Sequence, residues 1–243
     1  GVRTNDLKKQ LKFLKENYQI IHFSDLPKIA SEGNFCIITF DDGIQECYTR
    51  LFPLLECLDI KATVFVCSSI YTEKKILTVQ KTHLLSALIG EDAFQKTFYS
   101  SLSQNPDSLR QKRVDECDYS GVYPYDSDNV RSFKLDLNYR LPIQLVTQTV
   151  DEIFLEKYDI SEQQIVSELY ITEDQLKRLN TSELVEIGAH TTQHLMLSRL
   201  PVEEQIDQIK GSIDYLENSI GCEMPIPFAY PFGREGTYTE HTR

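Results

Sequence analysis

Three short clusters in this chain hold the side chains that could do chemistry. The first is Thr39-Phe40-Asp41-Asp42-Gly43, where two adjacent carboxylates follow the apolar run Phe35–Phe40. Buried charge is costly unless it is paired or bound to a metal, so packing explains the pair poorly. Neighbours at a strand end point different ways, which lets one carboxylate ligate an ion while the other faces substrate. The plain alternative is a turn in which an Asp caps the next helix and Gly43 relaxes the backbone. The second cluster is His190-Thr191-Thr192-Gln193-His194, holding two of the chain's five histidines. In a helical turn, residues four apart share a face, and two imidazoles can meet one ion there; two surface histidines opening a helix are the alternative. The third is Phe228-Ala229-Tyr230-Pro231-Phe232-Gly233. Pro231 and Gly233 set a sharp turn that can aim the Phe232 backbone N–H into a pocket.

Each cluster must be positioned by a regular element, and each follows an apolar run. Phe35–Phe40 and Ala62–Cys67 read as strands buried on both faces. A helix between them, running toward Leu58 and restarted at Pro53, makes a parallel βαβ unit. Leu184–Ala189 reads as a strand running into His190, and Ile226–Tyr230 as a strand ending at Pro231. Leu7, Leu11 and Leu14 predict an amphipathic helix over Asn5–Asn17, and Ser24 an N-cap for a short helix ending near Gly33. Thr172–Gln175 has the pattern of a capping box. Pro201 opens a helix with Ile206, Ile209, Ile213 and Leu216 on one face, closed by Gly221. In α/β folds of this kind ligands sit at the carboxyl ends of the strands, where all three clusters fall.

The stretch from about residue 71 to 168 breaks the alternation of strand and helix. It holds helical segments near Gln80–Ser103 and Ile143–Tyr158 and the polar loop Asp115–Asn129, rich in Tyr and Asp. It reads as an insertion into one domain spanning 1–243, forming either a substrate wall or further scaffold. Within the loop, Tyr119, Tyr123 and Tyr125 offer flat apolar faces with a hydroxyl, which suits stacking on sugar rings; aromatics covering neighbouring helices are the alternative.

The composition excludes several classes. The 243 residues carry a net charge of −12, with 37 acids against 25 bases, the wrong balance for nucleic acid. A glycan or another uncharged partner suits such a surface. No apolar run approaches the ~18 residues that cross a bilayer. No basic-then-apolar leader is visible, although the opening Gly1-Val2-Arg3, without Met, reads as a segment of a longer chain. The six cysteines form no C-x-x-C pair and are expected to be reduced thiols. This points to the cytoplasm, with an exported or envelope location left open if the chain has been trimmed. Nothing in the sequence sets an oligomeric state.

TFDDG, HTTQH and AYPFG, in that order and at strand ends, resemble the polysaccharide deacetylase family (carbohydrate esterase family 4). The resemblance covers most of the chain outside the insertion. It implies a distorted (β/α) barrel and a metal-dependent hydrolase that removes N-acetyl groups from a sugar or polysaccharide containing N-acetylhexosamine. By that resemblance Asp41 is the catalytic base and Asp42, His190 and His194 are the metal ligands. The Phe232 N–H holds the oxyanion, with Pro231 beside it at the substrate together with Tyr123 and Tyr125. The implied cofactor is one divalent ion, zinc foremost, with Co²⁺, Ni²⁺ or Mn²⁺ as substitutes. Two features depart from the family. Ala229 stands where an Arg commonly orients the base. The later motif carrying the general-acid His falls beyond Gly233, so the C-terminal strands are expected to be missing from these residues, or another group, such as His241, is the acid. A glycan-binding module with a disabled site and a small cyclic amide hydrolase on the same scaffold are the competing readings.

Overall fold

A computed structural model describes residues 2–29, 32–104 and 121–242. These divide into two compact units, one made of residues 1–75 with 162–243, the other of residues 76–161. The second lies inside the 71–168 span that sequence patterning sets apart.

The first unit is built on parallel strands. Strands β1 (Gln19–Ile20) and β2 (Phe35–Cys36) pair with each other, while β3 (Thr39–Phe40), β4 (Ala62–Val66) and β5 (Val185–Ala189) form a ladder in that order. The run Phe35–Phe40 is therefore two short ladders rather than one doubly buried strand. Its first end pairs with β1 and its second with β4, where the Thr63 N–H donates to the Ile38 carbonyl at 2.8 Å. Changing partners midway leaves Thr39 exposed. Strand β4 is buried along its whole length, as its apolar sequence predicts. The segment read as the strand Ile226–Tyr230 keeps only one parallel bridge, between Phe228 and Ala189. Pro227 has no N–H to give, so pairing is limited to the Ala189 N–H donating to the Pro227 carbonyl and the Ala229 N–H donating to Ala189.

Helices link and flank the strands. Helix α1 (Thr4–Asn17) buries Leu11, with Leu7 and Leu14 half-buried beside it. The short 3-10 helix Phe23–Lys28 starts two residues earlier than a Ser24 cap would set it, because Asp25 accepts the His22 N–H, and it ends at Lys28, short of Gly33. After β3 come a π-turn over Cys47–Leu51 and α2 (Phe52–Leu58), which restarts at Pro53. The short α3 (Ser69–Thr72) follows β4. Farther on stand α8 (Glu162–Leu169) and α9 (Glu173–Asn180), the latter opened by the expected capping box, in which Thr172 Oγ1 accepts from Gln175 N and Gln175 Oε1 from Thr172 N. Helix α10 (Val202–Tyr215) passes through a π-turn to Gly221. Of the expected row, Leu216 is buried and Ile209 and Ile213 are half-buried, but Ile206 departs from it. Ile206 is 53% exposed and Gln205 only 4%, because the Gln205 amide donates to the Leu200 carbonyl and accepts from Thr239 Oγ1. Satisfied hydrogen bonds make that polar side chain cheap to bury.

At the amino end of β5, the Glu186 carboxylate accepts from the N–H groups of Phe23 and Ser24 and from Thr63 Oγ1. This ties the 3-10 helix to the ladder and leaves the carboxyl edge for other chemistry.

The second unit is helical: α4 (Thr78–Ile89), α5 (Glu91–Gln104), α6 (Asp128–Leu135), a π-turn to Arg140, and α7 (Ile143–Lys157). The segment expected as one helix over Gln80–Ser103 divides at Gly90, and α6 begins inside the stretch read as a loop. Its core is a cluster of Phe94, Phe98 and Phe133 in edge-to-face contact, ring centres 5.2–6.3 Å apart; burying each such ring contributes about 1.5–3 kcal/mol. Lys81, buried, reaches Asp151 at 2.7 Å, and buried Asp136 accepts from Tyr99 Oη at 2.7 Å and pairs with Arg140. No helix among the described residues is long and apolar enough to cross a membrane. The five described cysteines are all free thiols; Cys117, like Tyr119, lies outside the described residues.

Candidate metal centre and active site

Parallel pairing puts the carboxyl ends of β3, β4 and β5 on one edge of the ladder. Asp41 and Asp42 leave β3 there, and His190 leaves β5 directly after Ala189. Asp42 Oδ1 stands 3.7 Å from His190 Nε2 and 3.4 Å from His194 Nε2. One ligand atom from each of the three lies within 4.8 Å of the others.

The backbone reaches this arrangement through conformations that L-residues seldom adopt. Asp42 (φ 67°), Thr191 (φ 65°), His194 (φ 58°) and Phe232 (φ 66°) all lie in the left-handed region, a local cost of the kind that gathers at functional sites. Gly43, also left-handed, follows Asp42; a Cβ there would stand 2.8 Å from Val66 Cγ1. Hence only glycine fits the turn that swings the Asp42 carboxylate over the strand ends.

The histidine cluster is not the helical turn expected from its spacing. Residues 191–193 form a turn outside any helix, and the left-handed Thr191 and His194 bring the rings together, edge to face at 4.9 Å between centres. Several backbone groups here are held by neighbours. The His190 N–H donates to the Val66 carbonyl, and Ser69 N–H donates to Thr192. The Cys67 thiol donates to the His190 carbonyl at 3.1 Å, and the His194 N–H donates to Thr191 Oγ1 at 3.0 Å. Burial pushes the Cys67 thiol well above its usual range, so it is a structural donor rather than a thiolate ligand.

His190 is 2% exposed, which excludes a solvated surface role. Its Nδ1 lies 2.8 Å from the carbonyl oxygen of Ala229. A carbonyl can only accept, so Nδ1 carries the proton and Nε2 presents its lone pair toward Asp42. Thus the residue that departs from the family pattern in its side chain serves the site through its main chain.

The donor set fits a divalent ion. Atoms bound at about 2.0–2.2 Å around a tetrahedral ion stand about 3.4 Å apart, and two imidazoles with one carboxylate leave a position for water or substrate. The two Asp42–histidine separations are already close to that spacing. Asp41, adjacent but outside the donor set, has an open side chain. Partial burial against its neighbours raises its pKa, the charge of His190 opposes the rise, and the Asp42 carboxylate adds to it. Among the described residues no side chain hydrogen-bonds Asp41, in keeping with Ala229 in the place of an Arg. The third cluster also arrives at this edge: the Phe232 ring meets His194 edge to face at 5.3 Å, and Pro231 is buried beside it.

Tyr123 and Tyr125 belong to the helical unit and are described within it. Tyr123 is left-handed (φ 55°), its hydroxyl accepts from Asn138 Nδ2 at 2.9 Å, and Lys134 lies over its ring. Tyr125 is 99% exposed. The groups that sequence reasoning missed are those holding the turn, among them Cys67, Thr191 and Gln208. The partners of Cys67 and Gln208 lie well away along the chain and no local pattern marks them, whereas Thr191 takes the His194 N–H three residues on, a bond of the Ser/Thr-turn kind.

The sequence model of the family described as polysaccharide deacetylase matches residues 28–118 and 145–243. All three clusters lie inside those stretches; Tyr123 and Tyr125 fall between them. Over 62 residues the chain is 37% identical to the poly-beta-1,6-N-acetyl-D-glucosamine N-deacetylase of Escherichia coli (strain K12). That match takes in 23% of this chain and 9% of the relative's length. Among solved structures, the Streptococcus pyogenes deacetylase PplD in complex with acetate aligns with 99% of this chain and 66% of its own, at TM-score 0.53 and 15% identity. The BpsB deacetylase domain from Bordetella bronchiseptica aligns with 97% of this chain and 71% of its own, at TM-score 0.51 and 14% identity. At such identities the likeness is one of fold, the distorted (β/α) barrel that the family resemblance implies. By sequence match across most of its length, and with every cluster of the site inside that match, this chain belongs to the polysaccharide deacetylase family.

Proposed function

We propose that the chain hydrolyses the N-acetyl groups of a glycan containing N-acetylhexosamine, with one divalent ion, zinc in the native protein, held by Asp42, His190 and His194. The observation that carries this reading is the convergence of three ligand atoms from two segments far apart in sequence at one edge of the parallel ladder. The name of the Escherichia coli relative supports an N-acetylglucosamine polymer as the substrate class.

A bound divalent ion supplies Lewis acidity to the amide carbonyl and lowers the pKa of water. The rest falls to the chain's own groups. Asp41, beside the donors but not among them, accepts the proton of the attacking water. As the tetrahedral centre forms, the Phe232 N–H donates to the developing oxyanion, in the place the third cluster gives it. Collapse breaks the C–N bond and releases acetate, and the departing sugar amine takes up the proton that left the attacking water. Tyr123 and Tyr125 contribute stacking faces for the sugar rings.

Acetate release from N-acetylglucosamine oligomers, measured with zinc and after chelation, tests the assignment. Zinc-dependent release supports it. Stoichiometric zinc with no release from any acetylated sugar would favour a glycan-binding module with a disabled site.

A further inference from the structure

Helix α10 meets the histidine turn at Gln208. The Gln193 N–H donates to Gln208 Oε1 at 2.9 Å, and Gln208 Nε2 donates back to Gln193 Oε1 at 3.1 Å. Gln193 Nε2 then donates to Glu73 Oε1 at 3.3 Å, just past α3, and Thr192 Oγ1 donates to the Gln208 carbonyl at 3.2 Å. Both amides have only one consistent orientation. The chain of bonds begins at a backbone N–H, which can only donate, and ends at a carboxylate, which can only accept.

A second observation on the same helix face points the same way. Gly211, three residues on from Gln208, stands mid-helix, where glycine is among the least favourable residues. A Cβ at that position would lie 3.1 Å from Thr192 Oγ1. The absence of a side chain lets the helix approach the turn closely enough for Gln208 to reach Gln193.

We propose that Gln208 is a positioning residue for the metal centre, holding the 190–194 turn in its left-handed form through Gln193 and so keeping His194 aimed at Asp42. The proposal rests on the metal-dependent reading above. The division of labour follows from the contacts. His190 is anchored separately, by Val66, Cys67 and Ala229. On the far side of the turn the strain at Thr191 and His194 must be held by outside contacts, and Gln208 supplies two at the residue before His194.

The test compares the full chain, stripped of metal, as wild type, Gln208→Met and Gln208→Glu. Methionine keeps length and helix propensity but makes neither bond; glutamate keeps the acceptor for the Gln193 N–H. In Gln208→Met we expect zinc affinity by calorimetry to fall about tenfold. Amide exchange of the 190–194 peptide should quicken in the metal-free protein, while melting temperature and exchange elsewhere stay as in wild type. Gln208→Glu should keep the exchange near wild type. Unchanged zinc affinity or unchanged turn exchange in Gln208→Met would overturn the proposal, as would a general loss of α10 protection, which would mark Gln208 as ordinary packing. The exchange measurement needs no metal. A wild type that takes up no zinc, with the exchange effect intact, would therefore show that the metal-dependent reading has failed, taking the proposed role with it.

Discussion

His190 Nδ1 donates a 2.8 Å hydrogen bond to the carbonyl oxygen of Ala229, across the parallel bridge that joins Ala189 to Phe228. The bond fixes the tautomer from the main chain. Ala229→Ser should therefore leave zinc content near one per chain, whereas His190→Ala and His194→Ala should each lower it to less than about a tenth, a loss of outright ligands. Metal analysis of the purified variants checks both halves. Full occupancy in His194→Ala would mean that the ligand set is wrong.

The two aspartates should separate cleanly. Asp41→Asn removes a proton acceptor that lies outside the donor set, so zinc content should hold while turnover falls about 10²–10⁴-fold. Asp42→Asn should lower zinc affinity first and activity as a consequence. Equal metal loss in both variants would reverse or dissolve the assignment.

Gly43→Ala places a side chain at φ 60° with Val66 Cγ1 2.8 Å away. Left-handed strain and overpacking together should destabilise the protein by about 1–3 kcal/mol, read as a lower urea midpoint. An unaltered midpoint would show that the Asp42 turn can relax at no cost.

The Lys61 ammonium, hydrogen-bonded at 2.9 Å, and then the His22 N–H hold the Asp25 carboxyl below its ordinary value of 3.8. A pKa depressed in the folded state means a stabilising contribution that is present above 3.8 and is lost as the pH falls through the lower folded value. Asp25→Asn should accordingly flatten the dependence of unfolding free energy on pH in that acid window and leave its slope near neutrality unchanged. Urea titrations across both ranges measure this, and an undiminished acid slope would count against the pair.

Replacing Tyr123 and Tyr125 by Ala should raise KM for a glycan oligomer and leave zinc content as it is, while the loss at Tyr123 of the Asn138 bond and of the Lys134 and Tyr139 contacts should lower the melting temperature of the helical unit. An unchanged KM would leave these rings as surface residues of the helical unit.

Much of this site could be read from the sequence because its chemistry is dense. Adjacent carboxylates after an apolar run, and paired histidines after another, are expensive arrangements that packing does not call for. Strand β4 was equally plain, since an unbroken apolar run buried on all sides has few other uses. The failures have a common cause in contacts remote along the chain. Four-residue spacing made His190 and His194 look helical, but Thr191 and His194 are left-handed because Cys67, Ser69 and Gln208 hold the turn so. On α10 the inward face holds for Ile209, Ile213 and Leu216, but Ile206 is exposed and Gln205 is buried instead, its amide satisfied by Leu200 and by Thr239 from farther along the chain. Local periodicity cannot report a partner that arrives from elsewhere in the fold.

The pairing of β4 with β5 has a consequence for how the molecule comes to exist. Val66 and Val185 lie on either side of the whole helical unit, so the ladder that brings Asp42 to His190 closes a loop of about 120 residues, and closure entropy grows so slowly that doubling such a loop costs only about 0.6 kcal/mol. Assembly of the metal centre is thus nearly indifferent to the length of chain spliced between its halves. Residues 76–161 could lengthen, shorten or be exchanged over evolutionary time at little thermodynamic penalty to the ladder. The strand ends and their three ligand atoms stay as they are whatever the length of that segment.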